Sequence, residues 1–503
     1  MSLLMKDPIK TYDARWEVSE FNDQEVLRLF EATFGYARLI GADTLVFARD
    51  ARLGCARVME IGIEAAVRYG FRVFACFDPI STPLSYFVAM QTAEKYPDTM
   101  GLTITASHNP KKYIGIKFTV PGVEAIGYDC GPLNGLTKVK ELYRSETFIP
   151  ELQDRGTLHI IQHPARAYIQ YTMELAGIKN NDLKGIKIVL DTFNGSAGPE
   201  LFQALRICGA EVFPLRLVPN GDFPTGSPNP TSQNKMDNAV LVARQTDADL
   251  VIGIDGDGDR VVFGDQKGIF SAGFVMIPIL KSILSKDQDP GRKKILYDPK
   301  VNPLALARWA EMNADPVLYR NGHSQIKGYM KEINALAGAE ESGHFYHKLP
   351  IGNLNVSGEN SLFTILLLLE AVKEQKGIIS RIREMQDHIY TSGEFNFQFS
   401  DDILRDKAIE SVLAFFEKEN AVLSTKSENG IDLEGTVVYK GVHIENGNFT
   451  IDPLWYSAYV RSATNEKGIV RSYISACSSE TGEIIKNKID QIMKGEYGGV
   501  ETE

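Results

Sequence analysis

Short apolar, β-branched runs recur along this chain, each passing through a polar turn into helical spacing. The run at 44–48, TLVFA, leads through RDAR at 49–52 to apolar positions at helical period over 56–69, and Gly70 precedes a second strand at 72–77. The run at 186–190 leads through Asp191 and the turn-rich NGSAG at 194–198 to a helix over 199–208 and a strand at 211–215. The run at 294–297 leads through Asp298 to a helix near 303–312 and a strand at 316–319. In each case an aspartate lies just past the strand, and the next strand begins about twenty residues on, as a βαβ crossover requires. The pattern predicts three related mixed α/β domains.

After residue 390 or so the pattern changes. EFNFQF at 394–399 alternates strictly, as a half-buried strand does, and is followed by helical spacing over 403–418 and strands near 435–442, 448–451 and 457–461. Residues 417–429 are polar and read as a surface connection. The fold class is therefore α/β, three domains of one kind followed by a smaller α+β domain, with expected limits of 1–156, 157–266, 267–388 and 389–503.

Composition narrows the function. At 503 residues the chain is too long for one core, and its 44% hydrophobic and 24% charged residues are ordinary for a globular protein. A net charge of −11 argues against a nucleic-acid partner, while leaving room for a local basic cleft. The longest apolar run, 362–369, is far short of a membrane span, and the first residues lack a signal-peptide core. Five scattered cysteines without CxxC spacing read as reduced, buried thiols. A cytoplasmic protein without membrane contact is expected, as a monomer or weak homodimer.

Five stretches carry candidate chemistry. In TASHNPKKYIGIK, at 105–117, a β-rich run delivers Ser107 into a loop turned by Asn109 and Pro110. His108, Lys111, Lys112 and Lys117 surround it with donors suited to a phosphate ester; the alternative is an ordinary polar turn. In DLVIGIDGDGDR, at 249–260, a buried strand ends in Asp255, Asp257 and Asp259, separated by glycines that let the carboxylates converge. Three such carboxylates repel unless a cation neutralises them, and an all-oxygen set suits Mg²⁺ rather than zinc. A calcium EF-hand loop fails because its sixth position is Arg260 and its twelfth Gln266. An aspartyl-phosphate phosphatase with Asp255 as nucleophile is a stronger rival. RNGHSQIK at 320–327 offers a cation, an imidazole and an ammonium. AEESGHFYH at 339–347 spaces a carboxylate and a hydroxyl for neighbouring sugar hydroxyls. RSATNEKGIVR at 461–471 offers arginines, hydroxyls and an amide to a phosphate.

TASHNP with GIK downstream, GDGDR, GHSxIK, EESGH and the C-terminal arginine loop, in that order, resemble the α-D-phosphohexomutase family, specifically its phosphomannomutase/phosphoglucomutase group. The resemblance implies four domains around a central cleft, the last of TATA-binding-protein type. It implies that Ser107 carries a phosphoryl group and, with Asp255, Asp257 and Asp259, holds Mg²⁺. His108, Lys117 and Arg260 would line the reacting phosphate, and His344 would shuttle a proton. Arg15 and Arg49 would add positive charge, and Lys300 and His323 would contact substrate. Glu340 and Ser342 would grip sugar hydroxyls, while Arg461, Ser462, Thr464, Asn465 and Arg471 would hold the phosphate not being transferred.

The implied reaction interconverts hexose 1-phosphates and 6-phosphates of mannose or glucose through hexose 1,6-bisphosphate, with sugar phosphates as the only partners. Phosphoglucosamine mutase, a Mg²⁺-dependent sugar-phosphate phosphatase and a non-catalytic sugar-phosphate binder are the alternatives. The chain departs from the family pattern in three places. Trp16 stands where glycine is usual, Ile114 where asparagine is usual, and Ala463, Asn465 and Lys467 replace the usual serine, threonine and proline of the last loop.

Overall fold

A computed structural model describes residues 7–145, 154–287, 289, 291–463 and 466–502. The chain divides into two units: Met1–Ile269 with Gly322–Glu332 and Ser342–Glu374, and Phe270–Asn321 with Ile333–Glu341 and Gln375–Glu503.

The first unit holds two mixed sheets. One is seven-stranded, in the order Ala14–Glu17, Tyr113–Val120, Thr99–Ile104, Thr44–Arg49, Arg72–Ala75, Thr157–Ile160, with Glu124–Ala125 paired to Tyr113–Val120. Thr44–Arg49 runs parallel to both neighbours and is apolar on both faces, as a strand covered by helices must be. Ala14–Glu17 joins antiparallel to Tyr113–Val120, so Arg15 is anchored at the sheet edge. Helix Asp23–Leu39 precedes the expected first unit; Asn22 and Glu25 form a capping box at its start. Ser81 caps helix Thr82–Lys95 by accepting the Leu84 amide.

The second sheet runs Val261–Gly264, Leu250–Ile254, Lys187–Asp191, Glu211–Leu215, the last three parallel. The expected strand, helix and strand following residue 186 are all present. The antiparallel hairpin Phe345–Ile351 and Leu354–Glu359 also belongs to this unit.

In the second unit, Lys293–Tyr297 pairs in parallel with Ala314–Leu318 and Ala337–Ala339. A six-stranded antiparallel sheet follows in the order Val422–Lys426, Asp432–Glu445, Asn448–Ser462, Ile469–Ala476, Tyr390–Gln398, Val500–Thr502. The polar stretch at 417–429 is thus not only a connection: Val422–Lys426 is an edge strand, whose exposure explains its polarity. Two of the cysteines, Cys130 and Cys477, are only half-buried. No described helix is long and apolar enough to cross a membrane.

Candidate active site

Ser107 lies three residues beyond strand Thr99–Ile104 and takes φ 52°, a left-handed conformation uncommon outside glycine. Its surroundings hold it there. The Ser107 amide donates to Thr105 Oγ1 at 2.9 Å, and the Thr105 hydroxyl donates to Asp50 Oδ2 at 2.7 Å. Arg52, whose buried guanidinium pairs with Asp50 at 3.1 Å, donates to the carbonyls of Ser107, Asn109 at 2.6 Å and Pro110 at 3.0 Å. A planar fork of donors can tie several carbonyls of one loop at once, which an ammonium cannot do with fixed geometry. Arg15 reaches the same loop from the edge strand, donating to Asn109 Oδ1 at 3.0 Å, and is itself held by Asp13 at 2.8 Å.

The aspartate loop meets this serine. Strand Leu250–Ile254 ends at Asp255, and the chain then winds so tightly that Asp255 Oδ1 accepts the amides of Gly258 at 3.0 Å and Arg260 at 3.1 Å. Gly256 has no room for a side chain, because a Cβ would stand 2.7 Å from the Ser107 carbonyl oxygen. Ser107 Oγ lies 3.0 Å from Asp255 Oδ2 and 3.2 Å from His108 Nδ1. Each of Asp255, Asp257 and Asp259 offers an oxygen within 4.8 Å of the others, and all three residues are buried.

Lys117 inserts among them, 2.7 Å from Asp257 Oδ2 and bonded also to Asp259 Oδ2. Thr82 Oγ1 donates to Asp257 Oδ2 at 2.6 Å. Asp257 Oδ1 nevertheless has no hydrogen-bond partner among the described residues, and Asp259 Oδ1 meets only the His344 ring, at 3.5 Å. Buried carboxylate oxygens left this way are costly. A hard, oxygen-preferring divalent cation suits the donor set: three carboxylates and a serine oxygen.

Charge follows the geometry. Burial, then Asp257 and Asp259, push the Asp255 carboxyl well above its usual range. Burial would raise Asp259 too, but Lys117 and His344 outweigh it and hold that group well below. Burial would lower the Lys117 ammonium, yet Asp257 and Asp259 keep it well above its usual value. Loss of solvent, then Arg260 and Arg15, push the His108 imidazole well below neutrality.

Several expected residues gather here. Arg260 forms a backbone bridge with His344, and its Nε is buried without a partner among the described residues. His344 Nδ1 is 2.9 Å from Ser342 Oγ. His323 opens helix His323–Glu332, its ring 6.3 Å from that of Tyr12, and neither ring nitrogen has a hydrogen-bond partner among the described residues. Lys327, further along that helix, pairs with Glu359 at 2.9 Å and meets the Tyr86 hydroxyl at 3.2 Å. Arg49 donates through Nε to the Phe77 carbonyl at 2.8 Å and through Nη1 to the Asp50 carbonyl at 3.2 Å.

The remaining expected residues lie in the second unit. Lys300 stands 3.7 Å from Asp298 and 3.5 Å from Glu394, and Glu340 is buried. Arg461 and Ser462 end strand Asn448–Ser462, directly opposite Arg471 and Val470. Arg471 pairs with Glu394 at 2.9 Å and Glu466 at 3.0 Å. Thr464 and Asn465 fall outside the described residues. Asp50, Arg52, Thr82 and Glu359 were not singled out from the sequence; only the RDAR turn at a strand end hinted at the first two.

Family models described as phosphoglucomutase/phosphomannomutase, alpha/beta/alpha domains I, II and III, match residues 6–128, 166–268 and 274–389. A phosphomannomutase of Salmonella montevideo is 30% identical over 346 residues, 67% of this chain and 72% of that protein. A phosphomannomutase of Escherichia coli K12 is 26% identical over 432 residues, 84% of this chain and 89% of its own. Among solved structures, a phosphoglucomutase/phosphomannomutase family protein of Burkholderia thailandensis aligns with TM-score 0.76 at 22% identity, covering 98% of each chain. The open form of parafusin, a Paramecium phosphoglucomutase, aligns with TM-score 0.75 at 15% identity over 99% of this chain and 97% of that one. Three consecutive domain matches and a relative of this likeness, on a chain whose serine and aspartate loops meet at hydrogen-bond distance, leave one conclusion: the chain belongs to the phosphoglucomutase/phosphomannomutase family of α-D-phosphohexomutases.

Proposed function

We propose that this phosphohexomutase interconverts the 1- and 6-phosphates of mannose and glucose through a phosphoryl group carried on Ser107 and a hexose 1,6-bisphosphate that turns over between half-reactions. The observation that carries the reading is the 3.0 Å approach of Ser107 Oγ to Asp255 within a cluster of three buried carboxylates. The activities for which the relatives are named, phosphomannomutase and phosphoglucomutase, support the two sugars.

Phosphoryl transfer asks a protein mainly for positioning and charge. Mg²⁺ held by Asp255, Asp257, Asp259 and a Ser107 oxygen would offset the charge on the phosphoryl group. In each half-reaction the P–O bond to Ser107 breaks as one forms to a sugar hydroxyl, or the reverse. Arg260 and Lys117 supply positive charge beside the transferring group, and His108 is a further donor. The departing hydroxyl proton needs an acceptor, a role that suits His344, whose Nδ1 is oriented by Ser342. The second unit carries a cationic cluster of its own, Arg461 and Arg471 with Lys300, suited to a phosphate that is not being transferred. Sugar hydroxyls fall to Glu340 and Ser342. The same reading places domain limits at 156/157, 266/267 and 388/389.

Intact-mass measurement with peptide mapping tests the phosphoserine. A mass increment of about 80 Da on Ser107 is expected, together with interconversion of mannose and glucose phosphates stimulated by the bisphosphate. Release of inorganic phosphate without any bisphosphate requirement would establish a phosphatase instead.

A further inference from the structure

Arg461 and Arg471 face each other across an antiparallel ladder, an arrangement in which like charges repel unless an anion is shared. Here an internal carboxylate supplies that anion. Glu394 reaches Arg471 Nη1 at 2.9 Å with one oxygen and Lys300 Nζ at 3.5 Å with the other. Strand Tyr390–Gln398 is not regular at this point: its register shifts between Thr391 and Glu394, with Gly393 at φ 67°, and such a bulge re-aims the side chain that follows it. With Glu466 on Arg471 and Asp298 near Lys300, three cations are matched by three carboxylates. Glu394, Arg471 and Lys300 retain 32%, 30% and 11% exposure, so a solute anion can reach them.

We propose that Glu394 is a specificity-determining residue that occupies the second unit's anion subsite and must be displaced by the incoming phosphate. The proposal rests on the assignment of this cluster to the phosphate not being transferred. The neutral cluster attracts a free phosphate dianion weakly, because the dianion meets a carboxylate already seated on the same donors. A sugar phosphate meets the same cost but has further contacts to offset it, so it still occupies the subsite where free phosphate does not. Discrimination is thus built from a repulsive element as well as an attractive one. The three cations outweigh burial and hold the Glu394 carboxyl down to about 2, so it stays charged and competes at any working pH. Arg471 Nε is buried without a partner among the described residues, a donor that the internal carboxylate leaves unused.

Calorimetric titration of the full-length protein with inorganic phosphate, at fixed pH and ionic strength, tests this. Glu394→Gln is expected to bind phosphate about five- to tenfold tighter than the unaltered protein, the gain for removing one contacting charge from a half-exposed cluster. KM for glucose 1-phosphate is expected to fall by a smaller factor, and the phosphate gain to vanish in the E394Q/R471Q double variant. Equal or weaker phosphate binding by E394Q overturns the proposal, as does a gain that survives the loss of Arg471. Should E394Q not fold, Glu394→Asp, whose shorter reach withdraws the charge, is expected to shift phosphate binding the same way by less; no shift or a weakening overturns the proposal. Phosphate binding is read without turnover. Absence of mutase activity would therefore defeat the proposed reaction without touching this result, and the converse also holds.

Discussion

The ammonium of Lys117 lies 2.7 Å from Asp257 Oδ2, in the middle of the buried carboxylates that are suited to a divalent cation. The protein thus carries its own partial counter-charge at the point where negative charge is densest. Replacing Lys117 with methionine leaves those carboxylates uncompensated, at a cost of about 3–5 kcal/mol for a broken buried pair. In metal-free buffer K117M is expected to melt well below the unaltered protein, and Mg²⁺ to recover more of Tm in the variant. Equal Mg²⁺-induced shifts in thermal melts of both proteins would sink this account.

Ser107→Ala removes the hydroxyl oxygen that stands between Asp255 and His108. Mutase turnover is expected to fall by about 10⁴-fold or more, as for loss of other enzyme nucleophiles. Coupled assay of glucose 6-phosphate formation measures it, and intact mass should show no phosphorylated species at that peptide.

Arg52 touches no reacting atom but fixes the Ser107, Asn109 and Pro110 carbonyls. Arg52→Lys keeps the charge beside Asp50 and loses the fork. A decrease in kcat of about 10²-fold, with Tm lowered only modestly, is expected when a nucleophile is misplaced by about an ångström. Unchanged kcat would show that the loop holds its left-handed serine without help.

Glu200 sets a pH dependence. Burial raises its carboxyl from 4.5 to about 8, with only the Ser81 contact acting the other way. Between those values the folded chain keeps a proton that the unfolded chain releases, so this group's contribution to stability declines as pH rises through the window. The full shift corresponds to roughly 5 kcal/mol. In Glu200→Gln that decline should vanish, so the difference between variant and parent Tm should widen from pH 4.5 to 8 and then level off. A constant difference across the window would refute it.

The parts of the site visible in the sequence are those whose chemistry is local. Asp255, Asp257 and Asp259 sit at alternate positions after an apolar strand, and Ser107 stands in a cationic loop; spacing alone brings each set together. Their meeting is non-local, and so are the residues that enforce it. Thr82, at the start of a helix, matters because its hydroxyl finds Asp257, far along the chain. Glu359 matters because Lys327 would otherwise be a lone buried ammonium. Helix Asp23–Leu39 is signalled by Asn22 and Glu25 but precedes the first strand-led unit, so the recurrence of strand, turn and helix does not announce it. The edge strand Ala14–Glu17 is too short to announce itself; its pairing with Tyr113–Val120, set by tertiary context, is what carries Arg15 to the serine loop. Arg49, a charged residue at a strand end, has Nε and Nη1 engaged by backbone carbonyls, contacts that spacing in the sequence does not reveal.

The first unit is not a continuous stretch: after Ile269 the chain leaves it and returns twice, at Gly322–Glu332 and Ser342–Glu374. The returning segments bring Lys327 to Tyr86, His344 to Asp259 and Ser361 to the Gly258 carbonyl. During synthesis, which releases the chain from its N-terminus, the serine and aspartate loops emerge long before these partners. A nascent chain halted before Ser342 therefore lacks His344 and Ser361 beside the aspartate loop, and a truncation after Glu374 keeps every segment of that unit only together with two segments of the other.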